Sequence, residues 1–285
     1  MIADKLYERV GQRGHVTIGM DTDITYIPKE FLNKYDNLED ALVAFNEKII
    51  DATEDIAACF KVQIAYYEAL GLQGMRAYKR TLDFIRKRDG IIIGDIKRGD
   101  ISKTAEMYAK AHFQGDFECD FITLNPYMGL DTLEPFIPYF KNKNKGAFVL
   151  VRTSNPGAKD IQYIESTDGK RVYELTGERL KVLNEKLLGT NGYGPIGAVV
   201  GCTHIEEGME LRKKLDNMFF LIPGYGAQGG KAEDVALYLR NGNGGVVNSS
   251  RKILLAYKEC QDNVSFEEAA RMEAVRMRED IRRYI

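Results

Sequence analysis

The chain has 285 residues, 44% of them hydrophobic and 29% charged, with 40 Lys and Arg against 42 Asp and Glu and a formal net charge of −2. That balance fits a globular protein with a substantial core and argues against a nucleic-acid partner, whose footprint is a basic excess. Cys59, Cys119, Cys202 and Cys260 lie far apart with no CxxC pair, and no apolar run approaches the roughly 18 residues of a membrane span. The opening stretch MIADKLYERVGQRG is amphipathic and mixed in charge, without the apolar centre of a signal peptide. A cytoplasmic protein with reduced thiols is expected.

In chain order, strands are expected at HVTIGM (15–20), CFKVQIA (59–65), GIIIGDI (90–96) and CDFITLN (119–125). Four more follow at GAFVLVR (146–152), PIGAVVG (195–201), MFFLIPG (218–224) and GGVVNSS (244–250). Between them, residues 38–56, 74–88, 104–113, 172–187 and 205–215 repeat apolar positions at three and four, the spacing of a core-facing helix. Near-continuous apolar strands alternating with helices imply a parallel sheet covered on both faces. Eight of them predict a single-domain α/β chain, a closed (β/α)8 TIM barrel, with a doubly wound open sheet as the alternative. Two connections, 21–37 and 153–171, are long for a plain barrel and read as functional loops.

In such a barrel the chemistry gathers at the carboxyl ends of the strands. Those ends carry Asp21, Lys61, Asp95 with Lys97, Asn125, Ser154, the turn PGYGAQGG and the run NSSR. Lys61 interrupts an apolar strand, where an ammonium is costly unless paired. Taken alone, it also reads as a lysine snorkelling at a strand edge. Asp95 and Lys97 stand two apart on an extended segment, so their side chains should share a face, and Asp100 follows on the turn. A structural ion pair with a helix cap is the plainer reading of GDIKRGD. With Lys61 close by, an alternating array of ammonium and carboxylate groups in a dry cavity explains all three residues. The two late loops suggest phosphate: PGYGAQGG offers backbone N–H groups and the Gln228 amide, and NSSR offers Ser249, Ser250 and Arg251 at a helix start. His15, His112 and His204 join no metal-ligand pattern, and His204 reads as a helix-start residue. Neither a phosphate-binding Gx4GK[ST] stretch nor a GxGxxG or GxSxG motif occurs, so chemistry without metal or organic cofactor is expected. Tyr66, Tyr67, Phe136, Tyr139 and Phe140 read as core.

DIKRGDISKT resembles the D-x-K-x-x-D-I-x-x-T signature of the orotidine 5′-phosphate decarboxylase family. The likeness spans nearly the whole chain. IGMDTD is similar to the family's first-strand aspartate motif and FKVQIAYYEALG to its second-strand lysine motif. TLNPYMG, VRTSNPGA and PGYGAQGG are similar to later motifs of its longer-chain bacterial and archaeal branch. Hexulose-phosphate synthases share the DxKxxD core and use a divalent metal. The Ile101–Thr104 continuation, TSNPGA and the late Gln–Arg pair favour the nucleotide enzyme, while a non-catalytic phosphate-ligand sensor is a third reading.

The resemblance implies decarboxylation of orotidine 5′-phosphate to UMP and carbon dioxide, the last step of de novo pyrimidine synthesis. Lys97 would protonate C6 of the pyrimidine, and Asp95 would lie beside the substrate carboxylate, held by Lys61 and Lys97. Asp21 and Lys61 would hold ribose hydroxyls, Asn125 would border the base, and Ser154 would meet the pyrimidine amide. Gln228, Ser250 and Arg251 would grip the phosphate. Asp100, Ile101 and Thr104 would reach the neighbouring site of a homodimer. Insertions near 22–37 and 155–195 depart from the family pattern.

Overall fold

Eight parallel strands close into one barrel in sequential order, so the apolar runs acquire two buried faces. The structure, a computed structural model, describes residues 1–226, 229–260 and 264–285. The strands are β1 (Val16–Gly19), β2 (Cys59–Gln63), β3 (Ile92–Arg98), β4 (Phe121–Leu124), β5 (Gly146–Arg152), β6 (Ile196–Val200), β7 (Phe220–Ile222) and β8 (Gly245–Ser249). Each lies inside an expected run except β3, which continues two residues further, through Lys97 to Arg98. The pairing of β1 with β8, Thr17 opposite Asn248, closes the cylinder, so the open-sheet alternative is set aside.

Alternation along the strands sorts side chains between two cores. Val16, Ile18, Phe60, Val62, Ile92, Ile122 and Val149 face the surrounding helices. Ile91, Ile93, Phe121, Phe148, Leu221 and Val246 pack inside the barrel, where Ile2, Leu6 and Val10 of the N-terminal helix Ile2–Arg13 join them. The lower interior is therefore mostly hydrocarbon, and the charged groups collect in the upper layer.

The five expected helices form at Leu38–Thr53, Gly71–Lys87, Ser102–Phe113, Val172–Glu185 and Ile205–Lys214. His204 is the N-cap residue of the last of these. A further long helix, Phe266–Arg282, buries Phe266, Ala269, Ala270, Ala274, Met277 and Ile281, and Phe266 stacks on Phe45. Residues 22–37 fold into the turn Ile24–Tyr26 and the short helix Lys29–Leu32. Within 155–195, Val172–Glu185 is the helix any barrel needs between β5 and β6; the extra chain precedes it and holds Pro156–Ala158 and Lys159–Gln162. Among the described residues no helix is long and apolar enough to cross a membrane.

Candidate active site

The charges that follow the isoleucines are explained by register. Inward positions run Cys59, Lys61, Gln63 along β2 and Ile91, Ile93, Asp95 into β3, and Gln63 stands directly opposite Asp95. β2 turns polar at Lys61, opposite Ile93, and β3 one inward position later at Asp95, so the lysine side chain rises toward the carboxylate where the barrel opens. The resulting cavity, about 600 Å³, is lined by Asp21, Lys61, Asp95, Lys97, Ser154 and Arg251 among others. Its volume suits a ligand the size of a nucleotide.

Asp95 is the hub. Its Oδ2 accepts from Lys61 Nζ at 2.8 Å and Gln63 Nε2 at 2.9 Å, and its Oδ1 from Lys97 Nζ at 2.6 Å and Thr123 Oγ1 at 2.9 Å. Lys61 Nζ also donates to Asp21 Oδ1 at 3.0 Å. Lys61 and Asp95 are each 5% exposed. Burial alone would push the Asp95 carboxyl up, but the Lys61 and Lys97 ammoniums outweigh it and hold the group well below the ordinary carboxylate range. Burial likewise disfavours the Lys61 cation, and Asp21 and Asp95 reverse that effect and raise it. Asp95 and Lys61 therefore form a charged pair at neutral pH.

Lys97 reaches this array by a different route from the one its spacing suggests. The register of β3 against β4 shifts between Gly94 and Arg98, and Lys97 has φ +45°. Simple alternation is broken: a bulge re-aims the side chain so that its ammonium returns over Asp95. A left-handed conformation at a non-glycine residue costs roughly 1–2 kcal/mol. The Thr123 hydroxyl helps to hold it, accepting from Lys97 N at 2.9 Å.

Beyond β1, on the far side from β3, Ser250 and Arg251 follow β8, with Asn248 Nδ2 donating to Ser250 Oγ at 3.2 Å. Gly19 makes this possible, since a Cβ there would lie 1.9 Å from Ser250 Oγ. Gln228 lies outside the described residues. Asp100, Ile101 and Thr104 do not line the cavity; Asp100 and Ile101 lie between β3 and the helix Ser102–Phe113, where Asp100 Oδ1 accepts from Ile101 N at 2.8 Å, and Thr104 is in the first turn of that helix. Asn125 does not line it either. Its side chain accepts from Tyr127 N at 3.0 Å, closing its own turn, and it borders a separate cavity of about 810 Å³ beside the helix Val172–Glu185. Tyr66, read as core, is instead part of the active cavity wall, while Tyr67, Phe136 and Phe140 are buried as expected. Gln63 and Thr123 were not anticipated, although each is the inward residue at the end of its strand.

Residues 18–261 match the model of the family described as orotidine 5′-phosphate decarboxylase / HUMPS. A Clostridium tetani protein named orotidine 5′-phosphate decarboxylase is 66% identical over 281 residues, covering 99% of this chain and 98% of its own. One of the same name from Clostridium perfringens is 64% identical over 285 residues, covering 100% of this chain and 99% of its own. Among solved structures, OMP decarboxylase from Leishmania donovani superposes with a TM-score of 0.75 at 28% identity, covering 97% of this chain and 98% of that one. The cavity lies where the DxKxxD motif emerges from the barrel, and by sequence along its length the chain belongs to the orotidine 5′-phosphate decarboxylase / HUMPS family.

Proposed function

We infer that this chain is a carbon–carbon lyase that converts orotidine 5′-phosphate to UMP and carbon dioxide in pyrimidine biosynthesis. The observation that carries the reading is the Asp95 carboxylate clamped between two ammoniums at the mouth of a nucleotide-sized cavity. When the C6–carboxylate bond breaks, its electron pair stays on C6, with no enolate to delocalise it. Lys97 transfers a proton to that carbon and is left as a neutral amine, and carbon dioxide departs. A cation already held in place by Asp95 stabilises the developing charge with little reorganisation of its own. Asp95 faces the leaving carboxylate and orients both lysines. Asp21 and Lys61 bind the ribose hydroxyls, Ser154 the pyrimidine amide, and Ser250 and Arg251, with Gln228, the phosphate. The chemistry needs no metal, because ammonium groups supply the positive charge. Purified chain incubated with orotidine 5′-phosphate should deplete the orotate absorbance and accumulate UMP; intact substrate after long incubation would overturn the assignment.

The working unit in this reading is a homodimer, with Asp100, Ile101 and Thr104 completing the partner's site. Their position outside their own cavity supports it, as does exposed apolar surface nearby: Ile101 is 50% exposed and Met107 49%. Mixing inactive Lys97→Ala and Asp100→Ala chains would then create one intact site in each mixed dimer. Activity should recover to about a quarter of wild type after random reassortment of a two-fold dimer. No recovery, with dimers demonstrably mixed, would place Asp100 in its own chain's site.

A further inference from the structure

The segment 153–171 contributes Thr153, Ser154 and Asn155 to the active cavity; Ala158 is buried and Tyr163 packs against the core, while Ile161 and Ile164 are about half exposed. Thr153 and Asn155 line the active cavity on one side and the neighbouring 810 Å³ cavity on the other. The wall is thus a partition with open space on both faces, and its position must be set by more than packing on the barrel core.

One carboxylate does that. Glu207, on the helix Ile205–Lys214 after β6, receives groups from both roots and the middle of the segment. Arg152, the last residue of β5, donates from Nε to Glu207 Oε2 at 2.5 Å. The Tyr163 hydroxyl donates to Glu207 Oε1 at 2.5 Å and accepts from Arg152 Nη2 at 2.9 Å. Arg171, where the segment ends, donates to Glu207 Oε1 at 3.3 Å, and its guanidinium lies 4.4 Å from the centre of the Tyr163 ring. Arg152 is 1% exposed, an expensive place for a guanidinium unless its partners are fixed. Gln162 ties the short arm internally, accepting from Thr153 N at 3.1 Å and donating to Thr153 Oγ1 at 2.7 Å.

We propose that Glu207 and Tyr163 are positioning residues: they clasp the two ends and the centre of this segment to the barrel and so set where Ser154 stands in the cavity. Neither touches the cavity itself. The inference rests on the decarboxylase reading for its kinetic consequence, but the clasp can also be read without turnover.

Tyr163→Phe removes one hydroxyl and leaves the ring and the Arg152–Glu207 pair in place, so it is the informative variant; Glu207→Gln, which leaves a buried guanidinium with a neutral partner, is the second. Releasing a hydrogen bond to a charged group should lower kcat/KM about tenfold in Tyr163→Phe, mostly through KM, while thermal unfolding moves little. In a Ser154→Ala background the same change should cost no more than about twofold, because the group being positioned is gone. Tryptic cleavage after the exposed Lys159, followed by mass, should be faster in both variants than in wild type. Wild-type kinetics in Tyr163→Phe, or losses that multiply independently with Ser154→Ala, would overturn the proposal. If the unmodified chain fails to turn over orotidine 5′-phosphate, the decarboxylase reading is what falls. The cleavage rate then decides the clasp: faster cutting upholds it, and an unchanged rate overturns it.

Discussion

Lys97→Ala should lose turnover of orotidine 5′-phosphate by at least roughly four orders of magnitude, the combined scale of a missing general acid and a missing fixed cation. The chain should stay folded. The Lys97 side chain is 48% exposed, so truncation opens no cavity in the core. Asp95 keeps Lys61, Gln63 and Thr123 as partners. Alanine is strained at φ +45° to the same degree as lysine, so the bulge is neither relieved nor worsened. KM should change far less than kcat, since the phosphate and ribose contacts come from other strands. Circular dichroism and calorimetry check the fold, and single-turnover measurements check the rate. Near-normal turnover in a folded variant would remove Lys97 from the proton-donor role.

Asp95→Asn should affect activity and stability together. An amide preserves the volume but cannot balance two ammoniums, so Lys61 and Lys97 repel across it and Lys97 loses its aim at C6. Turnover should fall by roughly 10²–10³ or more, the cost of losing one preorganised electrostatic group. Breaking a buried ion pair from one side costs about 3–5 kcal/mol, with Asp21 at Lys61 softening the loss toward the lower figure. The effect has a defined pH dependence. The folded-state carboxyl titrates below its unfolded value near 3.9, so its stabilisation is complete above about pH 4 and fades as pH falls below that. Urea unfolding at pH 7 should separate wild type from Asp95→Asn, and the gap should narrow toward pH 3. A gap that stays constant across that range would mean that the ionised carboxylate does not stabilise the fold.

The barrel was legible because each strand is a short apolar run with a helix pattern behind it, a pattern that parallel sheets impose on sequence. The helix Phe266–Arg282 was harder to see. Half of its buried positions are alanine amid dense charge, and its plainest signal is the capping box of Ser265 and Glu268. Lys61 and Asp95 could be read from an interruption of hydrophobicity, because burying charge is costly enough to require an explanation. Gln63 and Thr123 follow from the same alternation carried one inward position further along each strand. Lys97 was placed correctly beside Asp95 but for the wrong backbone reason: the left-handed turn at a lysine has no signature in residue type. Asn125 reads as a site residue because it ends a strand; in the fold its Oδ1 accepts from Tyr127 N, two residues on, a local contact that residue type alone does not distinguish from a ligand contact. The Glu207 clasp joins groups up to 55 residues apart, from Arg152 to Glu207, and only tertiary structure brings them together.

The claim on which the rest depends is that two lysines and one aspartate fixed in this cavity suffice to release carbon dioxide and protonate the carbon left behind. Turnover of orotidine 5′-phosphate by the purified chain, before and after exhaustive treatment with EDTA, tests it most directly. The account predicts UMP formation at the same rate in both samples and no gain on adding Mg2+. Activity that vanishes with chelation and returns with the metal would contradict it.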